Sequence, residues 1–221
     1  MPCAGVGLRA GAGAPKQYAT LAGRAVVAHT LAALAAVPAL AAVLVVLAPD
    51  DDVFERCTPE FVGPRAWAAR CGGVTRAASV AAGLSALRDR GAGDEDWVLV
   101  HDAARCLIQP DWVQRLIDAC RDDAVGGLLA LPLADTLKQS QRERALTTLP
   151  RAGLWLAQTP QMFRLGLLQR GLAKAGDAVT DEASAIESLG LQPRLVLGEL
   201  ENLKLTWPAD FALAARLLET R

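Results

Sequence analysis

Short apolar runs alternate along the chain with stretches whose apolar positions recur at helical spacing. Runs of strand length fall at residues 41–47, near 66–71, at 97–101 and at 126–131, and helical patterns fall at 24–37, 74–90 and 111–121. Strands that read as continuous apolar runs, without alternation, are buried on both faces. The pattern therefore predicts an α/β fold: a mostly parallel, doubly wound sheet with helices on both sides. From residue 135 to 150 the periodicity gives way to polar residues such as Gln139, Ser140, Gln141, Arg142, Glu143 and Arg144. That stretch is too long for an ordinary connection within a compact domain and predicts a protruding arm, about residues 133–153. Beyond it, helices are expected at 165–174 and 180–189, a strand pair around 194–197 and 203–206, and a last helix from Pro208.

At 221 residues the chain is expected to form one domain, 1–221, carrying that arm. With 52% hydrophobic and 21% charged residues it has ample material for a core. Its 23 Lys and Arg residues are balanced by 24 Asp and Glu, so the basic excess of a nucleic-acid binder is lacking. Five cysteines without a C-x-x-C pair suggest buried or free thiols in a reducing compartment, not a zinc site or a disulfide framework. Residues 31–48 carry no charge and approach the length of a membrane span. Pro38 interrupts them, and they read better as a helix end, a turn and a buried strand. The first residues show no apolar signal-peptide segment.

Four segments carry candidate chemistry. Residues 2–18 hold Gly5, Gly7, Gly11 and Gly13 with Arg9 and Lys16, a pattern that lets backbone approach phosphate, although a plain surface loop has the same look. It lacks the Gly-Lys-Ser/Thr ending of a P-loop and the third glycine of a dinucleotide fingerprint. His101-Asp102-Ala103-Ala104-Arg105 sits at the carboxyl end of an apolar strand, where ligands of open α/β sheets bind; a solvated Asp/Arg pair is the bland alternative, and His101 reads as packed. Thr180-Asp181-Glu182-Ala183-Ser184 reads first as a helix N-terminus. Asn202-Leu203-Lys204 places one of only four lysines on a strand-like segment.

In order, these pieces resemble the 2-C-methyl-D-erythritol 4-phosphate cytidylyltransferase family. The matching residues are Ala4-Gly5-Val6-Gly7 with Arg9, Pro15-Lys16-Gln17-Tyr18, Gly72-Gly73 with Arg76 and Ser79, and His101-Asp102-Ala103-Ala104-Arg105. They continue through Asp135-Thr136 with Lys138, Arg151 with Gly153-Leu154-Trp155, Thr159-Pro160-Gln161, Thr180-Asp181-Glu182-Ala183-Ser184 and Asn202-Leu203-Lys204. The resemblance implies a Rossmann-like nucleotidyltransferase of the cytoplasm, a homodimer with interlocking arms. It would use CTP, methylerythritol phosphate and Mg²⁺, with no nucleic-acid or membrane partner. It also implies that Arg9, Lys16 and Lys204 stabilise phosphate charge, with Arg151 counted among the catalytic residues as well as the substrate-binding ones. Cys3, Ala4, Gly5, Gly7, Gly73 and Ser79 would face the nucleotide. Asp102, Arg105, Thr159 and Thr180 would contact the alcohol phosphate, with Thr136 and Arg151 arriving from a partner's arm. The metal would be held mainly by the triphosphate, with Asp102 as a candidate ligand.

Such chemistry rests on positioning and charge, and an attacking phosphate already ionised near neutrality needs no general base. Other readings are a cytidylyltransferase for another polyol phosphate such as ribitol 5-phosphate, an inactive nucleotide-binding homologue and, weakest, an NAD-dependent oxidoreductase. Three departures from the family pattern stand out. Cys106 replaces a proline, and Val74 replaces a polar or acidic residue. Met1 directly precedes Pro2-Cys3-Ala4-Gly5, so the first strand is expected to be missing and the natural start to lie upstream.

Overall fold

The computed structural model describes residues 1–5, 15–176 and 179–220. After a turn of 3-10 helix at Lys16–Tyr18 and a small hairpin of β1 (Thr20–Leu21) and β2 (Arg24–Ala25), the chain alternates as the pattern predicts. α1 (Val26–Ala35), β3 (Val43–Val46), α2 (Phe54–Cys57), β4 (Ala66–Ala69), α3 (Arg76–Arg88), β5 (Trp97–Val100), α4 (Pro110–Cys120) and β6 (Gly126–Pro132) follow in turn. Then come the hairpin β7 (Leu137–Gln141) and β8 (Arg144–Leu149), β9 (Trp155–Arg164), α5 (Leu165–Ala175), α6 (Glu182–Glu187), β10 (Arg194–Leu197) and α7 (Pro208–Glu219).

The main sheet has the order β10-β6-β9-β5, with β10 parallel to β6 and β9 antiparallel to both its neighbours; β3 and β4 form a separate parallel pair. Side chains alternate between two cores. Leu128 and Phe163 pack with Val80, Leu84, Leu165, Leu168 and Ile186 on one face. Their neighbours Leu129 and Met162 pack with Leu34, Trp112, Val113 and Leu116 on the other. Helices α3, α5 and α6 thus cover one face and α1 and α4 the opposite one, the Rossmann-like doubly wound arrangement.

The structure departs from the sequence pattern in three places. Strand β9, ten residues long, was not foreseen, because Gln158, Thr159 and Gln161 are polar and Pro160 follows a cis peptide bond. Residues 203–206 form no strand; their link to the fold includes the Leu205 amide donating to the Ala104 carbonyl at 2.9 Å, and β10 pairs with β6 instead. The first strand is represented by residues 1–3, which run parallel to β3. Val46 N donates to Met1 O at 2.9 Å and Cys3 N to Val46 O at 2.8 Å. Beyond that stub an apolar cavity of about 520 Å³ lies between β3 and β5, lined by Leu44, Val46, Val98, Val100, Val80 and Leu84 among others.

The polar stretch after β6 is an exposed hairpin. Its turn residues Arg142 and Glu143 have φ of 49° and 62°, the left-handed pair that suits the twist of a two-residue hairpin. Among the described residues no helix is long and apolar enough to cross a membrane.

Candidate active site

A cleft of about 650 Å³ opens at the carboxyl ends of β4 and β5, where the loop after β4, the start of α3, the loop after β5 and the segment before α7 converge. Its lining joins Cys3, Ala4, Gly5 and Lys16 to Gly73, Arg76, Ser79, Asp102 and Lys204. Sequence-distant motifs thus meet in one place. Arg9 and Gly7 lie outside the described residues.

The backbone of this cleft is set by close packing. A Cβ on Gly72 would stand 2.3 Å from the Ala4 Cβ, and one on Gly73 would stand 2.6 Å from the Ala78 Cβ, so neither position has room for a side chain. Ser79 is buried. Its hydroxyl oxygen accepts from Gly73 N at 3.1 Å and lies 3.0 Å from the Thr75 carbonyl, which fixes the loop that meets the N-terminus of α3. On the opposite wall the Gln17 amide nitrogen donates to the carbonyls of Cys3 and Gly5 at 2.9 Å each, fixing the start of the glycine-rich segment. Burial pushes the Cys3 thiol up to about 12, so its sulfur stays protonated.

Charge is concentrated around Asp102. One carboxylate oxygen accepts from Arg76 Nε at 2.9 Å and the other pairs with Lys204 Nζ at 2.6 Å. Burial alone would raise this carboxyl, but the Arg76 guanidinium and the Lys204 ammonium outweigh it and hold Asp102 well below the usual carboxylate range. Lys16 Nζ donates to the Leu205 carbonyl at 2.7 Å, which ties it to the segment that carries Lys204. Among the described residues, three cationic side chains, Lys16, Arg76 and Lys204, therefore line the cleft beside a single carboxylate, Asp102.

Behind Asp102 runs a buried chain of hydrogen bonds. Asp102 N donates to Thr159 Oγ1 at 3.0 Å, Thr159 Oγ1 lies 3.1 Å from His101 Nδ1, and His101 Nε2 lies 3.2 Å from the Arg105 carbonyl. A carbonyl can only accept, so Nε2 carries the proton, Nδ1 accepts from the Thr159 hydroxyl, and the ring is neutral. Burial takes His101 down from 6.5 to about 4. It is packed, as its position suggested, and joins two residues of its motif.

Several expected site residues do not line this cleft. Thr159 is buried behind Asp102, and Arg105 donates to the carbonyls of Asn202 and Ala157. Thr180 is exposed just before α6, and its neighbours Asp181 and Ser184 form the capping box that the pattern suggested. Thr136 and Arg151 are exposed at the two ends of the hairpin and lie outside the cleft of their own chain. Val74 lines the cleft with its side chain fully exposed, and Cys106 is buried in the core below α7. Arg76, Gln17 and Glu182 had no assigned part. Arg76 and Gln17 could have been found from their place in the motifs, whereas Glu182 was absorbed into the helix-start pattern.

No group of three or more His, Cys, Asp or Glu side chains suited to a metal occurs among the described residues. One cleft carboxylate beside several cations suits a divalent ion that arrives on a polyphosphate and takes Asp102 as its protein ligand.

A family model described as IspD, 2-C-methyl-D-erythritol 4-phosphate cytidylyltransferase, matches residues 1–220. The chain is 57% identical over 221 residues to the enzyme of that name from Laribacter hongkongensis, covering 99% of this chain and 94% of the relative. It is 59% identical over its full length to a bifunctional IspD/IspF enzyme of Albidiferax ferrireducens, of which it spans 52%. A crystal structure of a 4-diphosphocytidyl-2C-methyl-D-erythritol synthase superimposes with a TM-score of 0.87 at 40% identity, over 98% of this chain and 95% of the other. Motif order, cleft and fold agree: the chain belongs to the 2-C-methyl-D-erythritol 4-phosphate cytidylyltransferase family.

Proposed function

We propose that the cleft transfers CMP from CTP to 2-C-methyl-D-erythritol 4-phosphate, giving 4-diphosphocytidyl-2-C-methyl-D-erythritol and pyrophosphate, a step of isoprenoid precursor synthesis in the cytoplasm. An oxygen of the alcohol phosphate forms a bond to the α-phosphorus of CTP, and the bond from that phosphorus to the bridging oxygen of pyrophosphate breaks. The observation that carries this reading is the set of Lys16, Lys204 and Arg76 around one ion-paired carboxylate. Cations held before substrate arrives stabilise charge that develops at phosphorus without reorganising. His101, buried behind Asp102, is neutral and has both ring nitrogens committed to Thr159 and the Arg105 carbonyl, so the chemistry proceeds without a general base from it, as an ionised phosphate nucleophile allows.

In this assignment Lys16 and Arg9 stabilise the α-phosphate, and Lys204 leaves Asp102 to hold the phosphate chain. The backbone of Cys3, Ala4 and Gly73 faces the base, Gly5 and Gly7 belong to the nucleotide-binding segment, and Ser79 keeps Gly73 in place. Asp102 and Arg105 serve the alcohol, with Thr180 at the edge and Thr159 orienting Asp102. Mg²⁺ would neutralise the triphosphate and take Asp102 as its protein contact.

The protein acts as a homodimer in this reading. Leu146, Leu149, Leu154, Trp155 and Leu156 are exposed on and beside the hairpin, an apolar strip that a second copy would cover. The partner's hairpin would then bring Thr136 and Arg151 to the alcohol phosphate. Pyrophosphate release from CTP with methylerythritol phosphate, compared with ribitol 5-phosphate, tests the assignment. Faster turnover of the ribitol ester would transfer it to the other polyol.

A further inference from the structure

Glu182 is a buried ionisable group that the reaction above does not use. Its carboxylate is 0% exposed and takes two hydrogen bonds from Arg76, at 2.6 Å from Nη1 and 3.0 Å from Nη2. The remaining edge of the same guanidinium, Nε, donates to Asp102 at 2.9 Å. One arginine therefore bridges α6 to the loop after β5, with its two terminal nitrogens on one acid and its inner nitrogen on the other. A buried ion pair is weak evidence for stability, because desolvation of both charges offsets most of their attraction. An apolar pair would fill the space at similar or lower cost, so the geometry of the bridge calls for another explanation.

That geometry separates two kinds of cation in one cleft. Lys204 holds Asp102 by a single bond and is assigned to move to the phosphates, after which Arg76 is left to hold the carboxylate. Arg76 lines the same cleft, and an incoming triphosphate would draw it away too. The two bonds to Glu182 oppose that pull. We infer that Glu182, acting through Arg76, is a positioning residue that keeps Asp102 aimed at the alcohol substrate while the lysines serve CTP. The inference rests on the proposed function and assigns Glu182 and Arg76 a part in selectivity between the two substrates.

The test is steady-state pyrophosphate release by Glu182→Gln, varying CTP and methylerythritol phosphate separately, with thermal unfolding measured on the same samples. Glutamine keeps the size and one acceptor but removes the charge. The expected result is a KM for the alcohol phosphate raised by about tenfold or more, the scale on which misplaced groups cost activity, with the KM for CTP within threefold of wild type or lower. Both KM values unchanged, with kcat falling only in proportion to folded protein, would overturn the inference. If Glu182→Gln does not fold, the double variant Arg76→Met/Glu182→Met decides, since an apolar pair can replace a buried ion pair. A folded double variant with a raised alcohol KM supports the assignment. A folded one with unchanged KM, or one that also fails to fold, makes the bridge structural and refutes it. Absence of wild-type turnover with these substrates would remove the proposed function and this inference with it.

Discussion

His101 makes the fold sensitive to acid in a window that can be worked out in advance. Its ring is neutral and carries its proton on Nε2, and burial lowers it from 6.5 to about 4. Above pH 6.5 the ring is neutral in both the folded and unfolded chain, and it contributes no pH dependence. Between 6.5 and 4 the unfolded chain binds a proton that the folded chain refuses, so stability falls as the pH falls. One pH unit of separation corresponds to about 1.4 kcal/mol, and integration from pH 7 to pH 4.5 gives a loss of about 2 kcal/mol. Two other groups act outside most of this window. The buried Met1 amine, lowered to about 6 from 8.0, removes stability in the same direction between those values. Asp102, held low by Arg76 and Lys204 against its burial, loses its contribution only as pH drops through the acidic end.

The perturbation is His101→Asn, whose side-chain oxygen can still accept from Thr159 but which does not titrate. Urea unfolding of both proteins at half-unit steps from pH 7.5 to 4.5 gives the two stability curves. The gap between them is expected to narrow by about 2 kcal/mol on going from pH 7 to 4.5, because the wild type alone pays the protonation term. A gap that stays constant to within about 0.5 kcal/mol, a small part of that calculated loss, would refute the burial-lowered titration of His101.

Lys16→Ala is expected to lower kcat by about 10² or more, the usual cost of removing a preorganised donor to developing charge, and a rate within threefold would take Lys16 out of the mechanism. Arg151→Ala should raise the KM for methylerythritol phosphate and spare CTP, because a guanidinium grips phosphate with two bonds and this one comes from the hairpin; a loss confined to CTP affinity contradicts the arm assignment. Five or so apolar β-branched residues fused ahead of Met1 should fill the cavity between β3 and β5, raise Tm and protect the amides of Leu44 and Leu99 from exchange. A polar extension of the same length that stabilises equally would show that the cavity does not accept a strand.

The alternation of apolar runs and helical patterns was enough to place both helical layers and β3, β4, β5 and β6, because these strands are continuous apolar runs with no polar position to confuse the reading. Strand β9 escaped it for the opposite reason. Gln158, Thr159 and Gln161 are buried in that strand, where they exchange hydrogen bonds with Asn202, His101 and Asp181, and polar residues satisfied by distant partners leave no periodic trace. Residues 203–206 show the converse error: an alternation of Leu and polar residues looked like a strand, yet Leu203 and Leu205 pack into the core below α7 and the Leu205 amide is taken by the Ala104 carbonyl. In the site, Lys16, Gly73, Asp102 and Lys204 were legible through motif order. Glu182 was hidden, since a glutamate following Asp181 at a helix start has an ordinary explanation on the surface, and only the fold shows that it turns inward onto Arg76.

The most direct test of the account is pyrophosphate release by the purified protein with Mg²⁺, methylerythritol phosphate and each of CTP, UTP, ATP and GTP in turn, with the phosphorylated product identified by mass. The account predicts turnover with CTP far above the other three, dependent on the alcohol phosphate, and a product carrying CMP joined to it through a new diphosphate. Binding of CTP without pyrophosphate release, or equal turnover in the absence of the alcohol phosphate, would contradict it.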